Sequence, residues 1–491
     1  MSFPALNQKF SSFNKGRNTF LDMDSSKKIQ AVIVLVGVFV VASVFAENIS
    51  GGLVVGPSVS LSSNSSLANL AITNTPPRPP ALPSPLPVSI CGDGTCSANE
   101  NSQVCPVDCY DPIIAYTNQP VGVPGRIIGF RCKSGDCFQT NSPFIESGTY
   151  RGYQHTSFGV APDNLPVFAA ASLEPPYDKV YVVKCADPAC SQRTHTLVAS
   201  HNNYSISYAT WKVNMVVPSD NRPIIVYPII DGPVAGLDSI FYIRCGNADC
   251  TSNNSSIPLL PLGTTVQYRV EVELASDGLP IILYRTSSPL VQDKLIKCDN
   301  IDCTLRHTVT LSTPTFITEP QIAIDTDGYP VIIYRRNSVS AISMIRCSSI
   351  DCSGNTTIVN FTEKSQRPQI VIPSDNLPII SVLEPDPITG AGVKFKLIKC
   401  TTYDCSTRTV NTVNISNPNN HISGSSGVLS YGRIPVFFYA VQVGPFPNFN
   451  DEIYTAKCTT IDCIQIVTSP LLYLQVFNPA GQDARIETKV R

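Results

Sequence analysis

The feature that most limits how this chain can fold is a cysteine pair enclosing four residues, repeated seven times: Cys132-Cys137, Cys185-Cys190, Cys245-Cys250, Cys298-Cys303, Cys347-Cys352, Cys400-Cys405 and Cys458-Cys463. Successive first members lie 49 to 60 residues apart, close to the span of a propeller blade. A second marker precedes the later pairs. An Asp-Gly or Asp-Asn step leads into a proline and an apolar run at Asp163, Asp220, Asp277, Asp327 and Asp375, with a drifted copy, YGRIPVFFY, from Tyr431. Such steps are what tight hairpins require. Each unit therefore reads as an apolar strand, a turn, a second strand, a variable loop, a third strand ending in Cys and a fourth beginning with Cys. One meander cannot bury both of its faces, so neighbouring units must stack, and a closed ring removes the exposed edges.

The expected fold is all-β: a seven-bladed β-propeller of four-stranded antiparallel blades over residues 111–491. A β-solenoid is the alternative, but its repeats are shorter. The first unit opens at Asp111 without its innermost strand, and the chain runs on past the last cysteine pair. Residues 471–478 are expected to supply that strand. In an oxidising compartment each cysteine pair is expected to close on itself, joining third and fourth strands where β-carbons lie close. With 41 prolines and 28 glycines, the chain favours strands joined by many turns.

The 18 cysteines all follow an uncharged apolar segment, residues 29–46, preceded by Lys27 and Lys28. That pattern predicts export with a cytoplasmic leader over residues 1–28. A transmembrane signal anchor is the preferred reading of residues 29–46, and a cleaved signal peptide the alternative. The propeller would then lie outside the cell membrane, or be secreted if the signal is cut. Residues 47–90, rich in Ser, Asn and Pro, cannot bury a core and read as a stalk. Residues 91–110 form a small unit whose Cys91, Cys96, Cys105 and Cys109 must staple it, with pairing open. Zinc is a competing reading of those thiols, and Asp93, Glu100 and Asp108 are weak calcium candidates. No cofactor is expected. Triplets for N-glycosylation occur at Asn48, Asn64, Asn203, Asn253, Asn254, Asn355, Asn360 and Asn414.

The run CGDGTCSANENSQVCPVDC resembles short modules on microbial, particularly archaeal, surface proteins. The blade pattern, with DGYPVIIY and the KC-x(4)-C pairs, resembles repeats of secreted microbial propellers loosely related to the sialidase-like fold. That resemblance implies a fold, since propellers carry unrelated functions in their loops. Sialidases add Asp boxes, an arginine triad and a tyrosine nucleophile. This chain has no Asp box, but Arg285, Arg335 and Arg336 follow second strands beside Tyr284 and Tyr334, and could frame an anionic ligand.

Other chemistry is poorly served. No G-x-S-x-G, H-E-x-x-H, phosphate loop or EF-hand occurs, and His195 and His307 read as exposed strand residues. Lys plus Arg total 35 against 37 Asp plus Glu, which excludes an electrostatic footprint for nucleic acid. Variation instead concentrates after the second strands, in segments beginning at Ser172, Pro228, Arg285, Val382 and Val441. Variable loops on a rigid scaffold are where recognition usually resides. Tyr177, Tyr284, Tyr334, Phe446 and Phe449 are the aromatic candidates there, with the three arginines beside them. The expected function is surface display or adhesion, binding protein or carbohydrate, with a glycan-processing hydrolase or lyase as the alternative.

Overall fold

A computed structural model describes residues 113–118, 126–131, 144–147, 153–174, 177–187, 190–202, 213–229, 239–264, 266–286, 291–311, 317–336, 341–354, 356–364, 366–385, 393–413, 421–429, 434–443, 449–463, 465–478 and 485–489. The chain divides into two compact units, Met1–Ser84 and Pro85–Arg491, and every described residue belongs to the second. The leader, the apolar segment, the stalk, the small cysteine-rich unit and the Cys132-Cys137 pair lie outside the described residues. Among the described residues every element is a strand, and no helix is long and apolar enough to cross a membrane.

The strands form seven separate four-stranded antiparallel sheets among the described residues. The first contains β1 (Ile113–Asn118), β2 (Arg126–Arg131) and β3 (Phe144–Ser147). The second is β4 (Tyr153–Val160), β5 (Pro166–Glu174), β6 (Tyr177–Cys185) and β7 (Arg193–Asn202). The third is β8 (Asn214–Val216), β9 (Ile224–Ile229), β10 (Ser239–Arg244) and β11 (Ser255–Pro258). The fourth is β12 (Val266–Leu274), β13 (Pro280–Thr286), β14 (Gln292–Cys298) and β15 (Arg306–Thr310). The fifth is β16 (Ile317–Ile324), β17 (Pro330–Arg336), β18 (Ala341–Cys347) and β19 (Thr356–Lys364). The sixth is β20 (Gln366–Val371), β21 (Ile379–Pro385), β22 (Val393–Cys400) and β23 (Arg408–Val413). The seventh is β24 (His421–Leu429), β25 (Pro435–Val443), β26 (Phe449–Cys458) and β27 (Ile466–Asn478).

The last strand, β28 (Arg485–Lys489), returns to the first sheet and pairs with β1, from Ile113 opposite Lys489 to Thr117 opposite Arg485. The first sheet thus takes strands from both ends of the described chain. Residues 471–478, expected to close it, instead belong to β27, the outermost strand of the seventh sheet. Two strands fit in that tail, and the longer, more apolar one continues its own hairpin. The innermost strands β4, β8, β12, β16, β20 and β24 touch in sequence, and β28 touches both β24 and β4. The arrangement is propeller-like.

Among the described residues five apolar clusters each draw from two consecutive sheets. Ile224, Val226 and Tyr242 of the third meet Val270, Ile282 and Tyr284 of the fourth, and Leu283 and Leu295 of the fourth meet Ile332 and Tyr334 of the fifth. These strands are buried on both faces, so their sequences are nearly continuous apolar runs such as PIILY and PVIIY. Asp-Gly and Asp-Asn recur at the turns because the second residue has positive φ: 71° at Asn164, 60° at Asn221 and Asn376, 74° at Gly278 and 87° at Gly328. Those are the residue types that tolerate the left-handed region.

The turn aspartates have a further partner. Lys184 reaches Asp163 at 2.7 Å, Lys297 reaches Asp277 at 2.8 Å, Arg346 reaches Asp325 at 2.9 Å and Lys399 reaches Asp375 at 2.6 Å, and Arg244 pairs with Asp220. Each cation stands immediately before the first cysteine of its pair, so one ion pair ties the third strand to the first turn in five sheets.

All six described cysteine pairs are disulfide-bonded, with Cα atoms 4.7 to 4.9 Å apart. The expectation that the second cysteine opens the fourth strand is not met. That cysteine sits in the connecting loop with φ between 52° and 57°, which costs a non-glycine residue about 1–2 kcal/mol. A closed loop this short returns about 2 kcal/mol by restricting the unfolded chain. The sulfurs are also buried, and five of the six described disulfides lie within the apolar cluster shared with the preceding sheet, as Cys298 and Cys303 do against the third. The loops clip onto that sheet by hydrogen bonds as well. Thr196 Oγ1 donates to the Asp249 carbonyl at 2.8 Å, Tyr242 Oη to that of Ile301, Arg346 to that of Tyr403 at 2.8 Å, and Asn411 to that of Cys463 at 2.5 Å. Between the fourth and fifth sheets the clip is His307, whose Nδ1 lies 3.1 Å from Asp299 and whose Nε2 lies 3.1 Å from Asp351.

Two outcomes follow from this packing. A chain ending at residue 484 should leave β1 with an open edge and melt lower and less cooperatively than the intact chain, whereas removal of residues 1–110 should not, as differential scanning calorimetry would show. The His307 clip should depend on pH. Partial burial disfavours the imidazolium, but the hydrogen bonds it donates to Asp299 and Asp351 outweigh it and raise the His307 pKa above its ordinary 6.5. Burial likewise opposes ionisation of Asp351, and its bonds from Ser353, Ser349 and His307 overcome that, holding its pKa below the ordinary 3.8. The histidine contribution is complete below about pH 6.5 and lost as pH rises through its folded pKa; the aspartate contribution is complete above about pH 4 and lost on acidification. In urea titrations the stability gap between wild type and His307→Gln should narrow from pH 5.5 to pH 9, and an unchanged gap would count against the clip.

Candidate functional site

The second to sixth sheets share one polarity: the first strand runs toward a tight turn, the second runs back, and the cysteine loop after the third strand lies at the turn end. One face of these sheets therefore carries turns, ion pairs and disulfide loops, and the opposite face carries the variable segments. β1 begins and β28 ends at the uniform face, because Ile113 pairs with both Lys489 and Arg131, the residue before Cys132.

At the variable face the innermost strands break register. Shifts lie between Tyr153 and His155, Val266 and Val270, Thr318 and Gln321, Gln366 and Gln369, and Ile422 and Gly424. Bulges bend and re-aim a strand and are common beside binding sites. Just beyond each shift, toward the uniform face, one position is polar throughout. Ser157, Asn214, Glu271, Gln321, Gln369, Ser426 and Glu487 stand opposite Ala169, Val226, Leu283, Ile333, Ser381, Phe438 and Ala115, the same register point of seven sheets. The Ser157 hydroxyl accepts from the Met215 N–H at 3.1 Å, Asn214 donates to the Val270 carbonyl, and Gln321 donates to Glu271 at 3.1 Å. Each bond crosses to a neighbouring sheet, so Ser157, Asn214, Glu271 and Gln321 form a polar belt beneath the bulges. Sequence reasoning missed it, although six of the seven lie nine residues before the proline that follows the turn.

The arginine and tyrosine candidates separate into two groups. Tyr284 and Tyr334 are buried in the inter-sheet clusters, which pushes each hydroxyl pKa up to about 12, so they are core residues and offer no surface to a ligand. Tyr227 and Tyr439 fill the same register point and are buried alike. Arg285 is also a correction: its side chain is 9% exposed and its Nε lies 3.6 Å from Asp293, itself 6% exposed. That carboxylate balances its charge within the fourth sheet. Arg335 and Arg336 end β17 at the variable face and are partly exposed, with Arg336 donating to the Phe361 carbonyl at 3.0 Å. Tyr177 opens β6 and Phe449 opens β26 at that face, while Phe446, Asp93, Glu100 and Asp108 lie outside the described residues.

A further group at this face lay unread in the sequence. His201 Nε2 is 2.9 Å from the Tyr227 hydroxyl, with the partly exposed Phe241 ring 5.5 Å from the imidazole, and burial pushes the His201 pKa below its ordinary value. Of the two adjacent glycosylation triplets, Asn254 has its carboxamide engaged with Gly246 and Cys250, whereas Asn253 is exposed. Among the described residues no group of three metal-binding side chains converges.

No protein-family model matches the chain. No curated protein matches it either. Solved structures do. A protein of unknown function from Dyadobacter fermentans is 11% identical with a TM-score of 0.42, covering 59% of this chain and 90% of its own. A PL25 ulvan lyase bound to a GlcA–rhamnose-sulfate saccharide is 7% identical with a TM-score of 0.44, covering 63% and 81%. Trypanosoma rangeli sialidase is 11% identical with a TM-score of 0.40, and the match spans 62% of this chain and 55% of the sialidase. Likeness at this level assigns no activity.

The pairing of Arg285 with Asp293 distinguishes a core role from a ligand role. Arg285→Ala strands a buried carboxylate and should cost about 3–5 kcal/mol in chemical denaturation. The double variant Arg285→Met, Asp293→Leu should recover most of that loss. A single variant of wild-type stability would return Arg285 to the list of ligand contacts.

Proposed function

We propose that this is an extracytoplasmic recognition protein, held to the cell membrane by residues 29–46 or secreted, in which a seven-bladed β-propeller closed by β28 binds a protein or glycan through its variable face. One observation carries the reading: the chain enters and leaves the seven sheets on the uniform face. The bulges and variable segments lie at the face opposite to the one where the described chain begins and ends. Buried disulfides in six units fit an oxidising compartment. The near balance of charge and the neutralised Arg285 favour a neutral or weakly charged ligand over a polyanion.

The test is a glycan array probed with the protein and with a variant in which residues 230–238 and 386–392 are replaced by Gly-Ser segments of equal length. The wild type should retain a discrete set of glycans and the loop variant should lose them, while His307→Gln on the opposite face keeps them. Retention by the loop variant would overturn the assignment of the face. Release of shortened or unsaturated products from the captured glycans would replace recognition with hydrolysis or lysis as the activity.

A further inference from the structure

The disulfide loop of the third sheet is closed differently from its counterparts, and it carries two overlapping glycosylation triplets. In the second, fourth, sixth and seventh sheets the residue after the first cysteine donates its backbone N–H across the loop to a carbonyl: Ala186 to Gln192 at 2.8 Å, Asp299 to Leu305 at 2.8 Å, Thr401 to Thr407 at 2.9 Å and Thr459 to Gln465 at 3.0 Å. In the third sheet the Gly246 N–H goes instead to a side chain. Asn254 Oδ1 accepts it at 3.2 Å, while Asn254 Nδ2 donates to the Cys250 carbonyl at 2.6 Å. Both ends of that carboxamide therefore hold the loop together.

Asn253 is set otherwise. Its φ of 54° suits asparagine, which tolerates the left-handed region, and its exposed carboxamide has no hydrogen-bond partner among the described residues. The remaining described asparagine in such a triplet, Asn360, lies within β19 with its Oδ1 held by the Ser343 hydroxyl at 2.6 Å. Glycan transfer joins Nδ2 to the anomeric carbon of a lipid-linked oligosaccharide; one N–H proton leaves, and the lipid phosphate departs with the bonding pair. The nitrogen lone pair is shared with the carbonyl, so the carboxamide must turn freely to react. At Asn254 that turn breaks two loop bonds, and at Asn253 it breaks none.

We propose that Asn253 is the asparagine of this unit that carries an N-linked oligosaccharide, and that Asn254 stays bare because the loop uses its side chain. The inference rests on the extracytoplasmic location proposed above. A glycan here stands at the uniform face and leaves the variable face clear. The test uses the full-length chain made in cultured eukaryotic secretory cells and purified as folded, disulfide-bonded protein. Enzymatic release of N-glycans in heavy-oxygen water marks each asparagine that carried one, and peptide mass spectrometry locates the mark. Asn253 should be marked and Asn254 unmarked. Ser255→Ala, which removes only the Asn253 triplet, should lose the glycan from this peptide, and Ser256→Ala, which removes only the Asn254 triplet, should keep it; both serines are exposed on β11. A mark on Asn254 in the folded protein, or a bare Asn253 in a chain glycosylated elsewhere, would overturn the assignment and leave the location standing. A chain bare at every triplet would overturn the extracytoplasmic reading and this site with it.

Discussion

The whole molecule depends on the two-sidedness of each small sheet. PIILY, PVIIY and PVFFY have no polar face, so a sheet built from them has two apolar surfaces and solvent can take neither. Stacking covers one surface with the next sheet and the other with the previous one, and only an arrangement without a first and last member covers all of them. β28 beside β1 meets that requirement with five residues. Disulfides, ion pairs and polar belt then fix the angle and spacing at which neighbours meet.

Those fixings are unevenly distributed, and function follows from the asymmetry. At the uniform face the cysteine loops of the third to seventh sheets dock on the preceding sheet, and the fully buried Arg346 guanidinium joins Asp325 of its own sheet to Tyr403 of the next. At the variable face the innermost strands break register and the connections differ from unit to unit. A face held by repeated contacts lets the opposite one diverge without loss of the fold.

Much of the architecture was legible in the sequence because it is repeated, and repetition separates signal from local accident. Strand order, turn chemistry and six disulfides were readable from one unit aligned on the next. What failed had a competing local explanation. The turn aspartates were already accounted for by hairpin geometry, so their ion pairs with the residue before each cysteine went unseen. Tyr284 and Tyr334 stand next to variable segments, and burial between sheets is invisible to a reading that follows one chain at a time. The closing strand was sought in residues 471–478 and RIETK passed over, because RIETK has one apolar residue and the strand it completes begins some 370 residues earlier in the chain, at Ile113.

The disulfides, finally, bear on how such a chain can be made. Eighteen cysteines allow an immense number of pairings, yet each described bond joins residues five apart in sequence. Contact across so short a segment forms on the order of 10–100 ns or faster, far ahead of any encounter between units. Oxidation can therefore finish unit by unit as the chain emerges, in the order of synthesis, with each thiol meeting its own partner before the next pair arrives. The slow, non-local step left for the end is the arrival of β28, which carries no cysteine and commits nothing covalently. A ring assembled this way can try and discard its closure while every crosslink within it is already correct.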